Sequence, residues 1–240
     1  MDISKVTRGM RKTLPLKTCG AVIVAAGNAS RMGGIDKVMA PLQNEPMIRR
    51  TVRTFQECDA ISEIVIVTRE DLIVPISNLC REMAKVKAVV TGGNSRQESV
   101  NLGLNALSDK MKLAAVHDGA RPLITWQVID RTARAANTYG AAAPAIPVKD
   151  TIKVVEGRVV KNTPDRATLF AVQTPQIFDF DLLRGALQKA AADGAEVTDD
   201  CSAVERMEMS VKIVEGDERN LKVTTPMDLK IAQMLLEGMQ

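Results

Sequence analysis

The sequence predicts a three-layer, doubly wound α/β fold on a mostly parallel sheet, and three observations predict it. Uninterrupted apolar runs at residues 20–26 (GAVIVAA) and 63–68 (EIVIVT) read as strands covered on both faces. Stretches with helical apolar spacing alternate with such runs, as right-handed crossovers between parallel strands require. The glycine-rich and charged segments fall just after strands, at the carboxyl edge where sheets of this kind bind ligands.

The strand at residues 20–26 runs into a loop containing Gly27, Asn28, Ala29, Ser30, Gly33 and Gly34. These small or turn-permissive residues let backbone N–H groups approach a polyphosphate, and Arg31 and Lys37 add two positive charges. Neither a closing Gly-Lys-Ser/Thr nor a GxGxxG is present, so the loop is not a Walker A loop or a dinucleotide fingerprint. A plain glycine-rich turn with surface cations is the alternative. Residues 46–57 carry Met47, Ile48, Val52 and Phe55 at helical spacing, and residues 63–68 form the second strand. Residues 71–84 read as a helix whose start Pro75 shortens or displaces. Residues 88–90 form a short strand stopped by Gly92-Gly93, and a helix begins near Gln97. A fourth strand at 113–116 delivers His117-Asp118-Gly119-Ala120-Arg121-Pro122 to its carboxyl end, before a helix at 126–139 and a fifth strand at 141–146.

The alternation breaks at Val148. Residues 151–155 and 158–161, around Glu156-Gly157, read as a hairpin. A two-stranded ribbon is marginal alone, so it most simply lies against a second subunit. Helical patterning returns from Phe178, and a helix within 197–205 is capped by Thr198 or Asp199. The last strand is expected at 211–214 and a terminal helix at 226–236.

With 240 residues the chain buries one sizeable core: a single domain over 19–240 with a hairpin arm at about 148–172, after a flexible extension of residues 1–18. Aromatics make up only 2% and the net charge is +3, with five cations among the first seventeen residues, which argues against a nucleic-acid partner. No apolar run reaches the length of a membrane span. Cys19, Cys58, Cys80 and Cys201 show no CxxC spacing and read as reduced core thiols of a cytoplasmic protein. His117 is the only histidine, which argues against a zinc enzyme and against a Ser-His-Asp triad.

Three further segments carry candidate chemistry. In residues 92–100 (GGNSRQESV), exposed backbone groups and the Ser99 hydroxyl can read the edge of a base, although an ordinary βα loop with a cap has the same look. Asp118 ends a strand, where one carboxylate can hold Mg2+ bridged to a triphosphate; an Asp118–Arg121 pair that braces the loop is the other reading. Lys222 lies just before Thr225-Pro226 opens a helix, so its ammonium can be fixed by the fold or can be a surface charge.

Four motifs in order, AAGNASRMGGIDK, GGNSRQESV, VHDGARP and GDERNLKVTTPMDL, resemble those of the 2-C-methyl-D-erythritol 4-phosphate cytidylyltransferase family. Two departures stand out: Ala29 replaces the second glycine of the first motif, and Asp36 replaces the proline or asparagine before its lysine, in a loop one residue short. The resemblance implies a Rossmann-like nucleotidyltransferase domain that joins CTP to the polyol phosphate in non-mevalonate isoprenoid synthesis. It implies Arg31, Lys37 and Lys222 as catalytic cations, and Ala25, Ala26, Gly27, Gly92, Gly93, Ser99 and Asp118 as the nucleotide cradle, with Mg2+ at Asp118. It further implies Arg121, Thr151, Arg166 and Thr198 on the polyol-phosphate side, with Thr151 and Arg166 supplied by the neighbouring subunit of a homodimer. Two unit charges ~4 Å apart repel by about 4 kcal/mol at an effective dielectric of 20, so convergent cations suit two anionic reactants. A ribitol 5-phosphate cytidylyltransferase shares most of these motifs, and a nucleotide-binding regulatory protein without turnover also stays open.

Overall fold

The computed structural model describes residues 15–27 and 36–238. Its elements run β1 (Cys19–Val24), β2 (Pro41–Leu42), β3 (Glu45–Pro46), α1 (Met47–Glu57), β4 (Glu63–Thr68), α2 (Ile73–Cys80), β5 (Val86–Thr91), α3 (Arg96–Ala106) and β6 (Leu113–Asp118). They continue with α4 (Trp126–Tyr139), β7 (Ala141–Pro147), β8 (Val154–Glu156), β9 (Val159–Asn162), β10 (Phe170–Val172) and β11 (Gln176–Asp179). The chain then forms α5 (Phe180–Ala192), α6 (Asp200–Glu205), β12 (Lys212–Glu215) and α7 (Pro226–Glu237).

The doubly wound sheet forms because successive strand residues face opposite sides, and both sides are covered by helices. Ala21, Ile23, Ile64 and Ile66 point into a core with Ile48, Val52 and Phe55 of α1, Ile76 of α2 and Val128 and Ile129 of α4. Val22, Val65 and Val67 point the other way, onto Val100 and Leu104 of α3 and Leu183 and Leu187 of α5. Each such wholly buried aliphatic side chain contributes about 1.5–3 kcal/mol, so the continuous apolar runs of β1 and β4 hold the middle of the molecule. A third cluster seats α7 on Leu42, Met47, Leu123 and Val223.

Strands β6, β1, β4 and β5 are parallel, and β12 runs parallel to β7 at the other side of the sheet. The departure from the sequence-based expectation lies between them. Strands β10 and β11 were not anticipated, since residues up to 172 were assigned to the hairpin arm and helical patterning was read from Phe178 onward. Both pair antiparallel with β7, on the edge opposite β12: Ala145 faces Val172 and Glu215, and Ala142 faces Ile177 and Lys212. They are therefore one strand interrupted by a bulge, with the four residues from Gln173 to Gln176 set against the two residues Ala143 and Pro144. Strand β11 separates β6 from β7, so the sheet is mostly parallel with one antiparallel insertion.

The hairpin arm is present as β8 and β9, starting three residues later on its first leg than the β-branched run suggested. Gly157 (φ 56°) and Arg158 (φ 65°) turn it, and two left-handed residues give the twist a two-residue hairpin needs. Every residue from Lys149 to Thr163 is exposed. At the other end of the domain, Thr18 accepts backbone N–H bonds from Lys112 and Leu113, and Lys17 pairs with Asp179 at 3.3 Å, so residues 15–18 run along the sheet margin. The rest of the segment expected to be flexible lies outside the described residues. All four cysteines are buried and unbridged. Among the described residues no helix is long and apolar enough to cross a membrane.

Candidate active site

The carboxyl ends of β1, β4, β5 and β6 open onto a cleft of about 480 Å³. Its floor is built by close backbone approach. Ala25 N–H donates to Val67 O at 2.7 Å, Gly92 N–H to Thr68 O at 2.7 Å and Gly119 N–H to Val24 O at 2.8 Å, which ties the loops after four strands together. A Cβ on Gly92 would stand 2.4 Å from Ala26 Cβ, so only glycine allows the first and third loops to meet. The Gly93 loop is braced by α3: Glu98 Oε2 accepts from Asn94 N–H at 2.7 Å, and Ser95 caps the helix by accepting from Glu98 N–H.

Asp118 is the electrostatic centre. Its Oδ2 meets Lys222 Nζ at 2.8 Å and Arg121 Nε at 3.5 Å, and Arg96 Nε lies 3.7 Å from Oδ1. Burial by itself would raise the carboxyl pKa, but Lys222, Arg96 and Arg121 outweigh it and hold the group well below the usual carboxylate range. Arg96 also reaches Asp200 Oδ2 at 2.7 Å, bridging the start of α6 to the cleft. Burial opposes charge on this guanidinium too, yet Asp200 and Asp118 raise its pKa. Lys222 is delivered by a short, heavily anchored segment: Val223 N–H donates to Ala120 O at 2.8 Å, and Arg121 Nη1 to Asn220 O at 2.8 Å. The buried Asn220 amide donates to Thr174 O at 2.9 Å and to Gln173 Oε1 at 3.2 Å.

The bulge between β10 and β11 braces these groups. Gln173 accepts from Asp217 N–H and donates to Asp217 O, fixing the Lys222 segment. Gln176 accepts from the N–H groups of Asp200 and Cys201 at 3.0 Å, fixing α6. Thr174 Oγ1 accepts from Asp118 N–H at 3.1 Å and contacts His117 Nδ1 at 3.0 Å, while His117 Nε2 lies 3.3 Å from Arg121 O. This pattern assigns a neutral imidazole that donates from Nε2 and accepts at Nδ1. His117 is thus a buried brace behind Asp118 and has no part in proton transfer within the cleft.

That burial predicts a pH signature. Desolvation pushes His117 down to about 3, whereas the unfolded side chain titrates near 6.5. Below about pH 6.5 the unfolded chain takes up a proton that the native state refuses, so stability falls by ~1.4 kcal/mol per pH unit as pH drops toward 3. Chemical denaturation at pH 7 and pH 5 should show roughly 2 kcal/mol lost by the parent and correspondingly less by His117→Gln. Equal losses in the two proteins would show that the imidazole is not the group responsible.

Of the residues singled out in the sequence, Ala25, Ala26, Gly27, Lys37, Gly92, Gly93, Ser99, Asp118 and Lys222 all line this one cleft. Arg121 stands behind Asp118. Arg31 lies outside the described residues. Thr151 and Arg166 sit on or beside the exposed arm, where Arg166 Nη1 donates to Lys149 O at 2.9 Å, and neither lines the cleft of its own chain. Thr198 lines a separate shallow depression with Glu196, Ser202 and Arg206. Asp199, not Thr198, caps α6. The structure adds Thr68, Arg69 and Arg96 to the cleft wall. The position of Arg69 just after a strand was the available signal for it, as strand ends in such folds gather ligand groups. Lys37, Arg69, Arg96 and Lys222 against Asp118 make a positive, partly desolvated cleft suited to a polyanion.

The comparisons with known proteins agree with this geometry. The profile of the family described as IspD, 2-C-methyl-D-erythritol 4-phosphate cytidylyltransferase, matches residues 19–238. A Symbiobacterium thermophilum protein named 2-C-methyl-D-erythritol 4-phosphate cytidylyltransferase is 45% identical over 218 residues, which span 90% of this chain and 92% of that one. A Caldanaerobacter subterraneus relative of the same name is 41% identical over 225 residues, spanning 90% and 97% of the two chains. The crystal structure of 4-diphosphocytidyl-2C-methyl-D-erythritol synthase from Anaerococcus prevotii superposes with a TM-score of 0.85 at 29% identity, covering 93% of this chain and all of that one. The chain belongs to the IspD family, that of the 2-C-methyl-D-erythritol 4-phosphate cytidylyltransferases.

Proposed function

We propose that this protein joins CTP and 2-C-methyl-D-erythritol 4-phosphate, giving the CDP-polyol and pyrophosphate for non-mevalonate isoprenoid synthesis. The observation that carries this reading is the convergence of Lys222 and Arg96 on Asp118, opposite the Gly92-Gly93 loop, in a single cleft of the family's fold. A phosphate oxygen of the polyol attacks the α-phosphorus of CTP, and the bond from that phosphorus to the bridging oxygen breaks as pyrophosphate leaves. The nucleophile is already an anion, so alignment and countercharge replace a general base. Lys37 and Lys222 supply that countercharge from within the cleft, and Arg31 is assigned the same role from the family motif. Ala25, Ala26, Gly27, Gly92 and Gly93 provide the backbone cradle.

Asp118 fits a divalent cation on its donor chemistry: it is kept ionised, and one carboxylate with phosphate oxygens and water is what Mg2+ prefers. When bound, Mg2+ supplies countercharge to the triphosphate. We further propose a homodimer joined through the arms, because Val154, Val155, Val159 and Val160 are each about half exposed on a ribbon too thin to stand alone. Thr151 and Arg166 would then reach the partner's cleft. Unbridged thiols and a CTP substrate support a cytoplasmic location.

The direct test offers CTP and Mg2+ with either 2-C-methyl-D-erythritol 4-phosphate or ribitol 5-phosphate and follows pyrophosphate. Release with the first and not the second is expected; release only with ribitol 5-phosphate, or with neither, overturns the reading.

Base choice follows from Ser99. Its hydroxyl donates to Ser95 O at 2.9 Å and accepts from Gly93 N–H at 3.1 Å, which leaves one acceptor lone pair. A cytosine amino group can donate to it, whereas a uracil carbonyl would set acceptor against acceptor in a buried corner. The kcat/KM for CTP should exceed that for UTP by about a hundredfold, and Ser99→Ala should narrow the gap. Equal values for the two nucleotides in the parent would remove this account of specificity.

A further inference from the structure

The cleft wall contains a cation that neither the family motifs nor the proposed chemistry uses. Arg69, immediately after β4, lines the cleft with Lys37 and places Nη2 2.5 Å from Asp36 Oδ2. The same Nη2, together with Nε, is gripped side-on by Asp71, with Nε–Oδ1 at 3.1 Å and Nη2–Oδ2 at 3.0 Å, so the guanidinium has little freedom to turn away. Asp36 is itself engaged on both oxygens, since Oδ1 accepts from Val38 N–H at 3.1 Å. That bond closes the turn in which Met39 N–H donates to Asp36 O and Ala40 N–H to Lys37 O. Both carboxylates keep Arg69 charged; the Asp71 and Asp36 bonds raise its pKa despite its partial desolvation.

From this geometry we infer that Arg69 is a positioning residue which, through Asp36, locks the Lys37 turn to the carboxyl end of β4 and so sets where the Lys37 ammonium meets the reacting phosphates. The two groups are mostly covered, at 27% and 20% side-chain exposure, so the pair is less screened than a surface ion pair. The chemistry also fits the sequence: an acidic residue stands just before the lysine, and a cation is supplied from the next strand to hold it. Asp36 is one of the two departures from the family motif, and the pair gives it a purpose in this chain. The inference rests on the role proposed for Lys37.

The test compares steady-state kinetics of the full-length parent, Arg69→Gln, Asp36→Asn, the double variant and Arg69→Lys, with folding checked by thermal unfolding. Asparagine at position 36 keeps an oxygen for Val38 N–H and replaces the charged acceptor that faces Arg69 with an NH2 donor. Arg69→Gln and Asp36→Asn should each lower kcat about tenfold with KM for CTP within twofold of the parent. The double variant should be no worse than either single, since one linkage has been cut twice, and Arg69→Lys should recover most of the rate. Additive losses, or parent-like kcat in Arg69→Gln, overturn the inference. So does a harmless Asp36→Asn beside a damaged Arg69→Gln, which would mean that Arg69 touches the nucleotide directly. If the parent itself releases no pyrophosphate, the proposed function fails first, and the two failures are thereby told apart.

Discussion

Lys222→Ala should lower kcat by about two to three decades while leaving the affinity for CTP within a few-fold of the parent, the usual loss when one donor to a developing charge is removed. The size of the effect follows from how the ammonium is held. A surface lysine samples many rotamers, but this one leaves a backbone pinned at Val223 N–H, at Asn220 O and through the buried Asn220 side chain, and it lies 2.8 Å from Asp118. Little ordering remains to be done when substrates arrive. The fold should tolerate the change, because Arg96 and Arg121 still flank Asp118 and α7 keeps its Thr225–Asp228 capping box. Single-turnover kinetics and calorimetric CTP binding separate the two quantities. Turnover within threefold of the parent would take Lys222 out of the site.

A mixture of Lys37→Ala and Arg166→Ala proteins, each nearly inactive alone, should recover activity to about one quarter of the parent value after subunits exchange. In a mixed dimer, one site combines intact Lys37 from one chain with intact Arg166 from the other, and the second site carries both lesions. Random pairing makes half the dimers mixed, and half of their sites are whole. The structural reason to expect sharing is the arm: Arg166 does not line its own chain's cleft, and the ribbon before it is exposed on every residue from Lys149 to Thr163. If Arg166 served its own chain, every site in a mixed dimer would keep one lesion. No recovery after verified exchange would therefore rule out the shared site.

How far the sequence carried depends on where each signal was stored. Strands β1, β4 and β6 were legible because a strand covered on both faces must be apolar at every position, and α4 because its 3.6-residue stripe is complete in one stretch. The cleft was legible as well. Glycines where loops meet and polar residues at strand ends are local consequences of chain direction, so Gly92 and Asp118 could be placed on one edge before any coordinates, whereas Lys222 was joined to them only through the family motif. Strands β10 and β11 were not legible, because two short segments split by a bulge carry too little alternation to be read, and their pairing partner β7 lies about thirty residues away. The same bulge holds Gln173, Thr174 and Gln176, whose side chains fix the Lys222 segment, His117 and α6. Nothing local marks a glutamine as a brace; its two hydrogen-bonding ends acquire meaning only when distant backbone is brought against them. The pairing of Arg69 with Asp36 belongs to the same class, a charge contact across two loops that the sequence leaves 33 positions apart. Local patterning is enough to specify the layered sheet and the chemical character of its carboxyl edge, since burial and loop geometry are written in neighbouring residues. Which polar groups hold the cleft cations in place was settled by the folded chain, because those partners are chosen by packing between segments far apart in sequence.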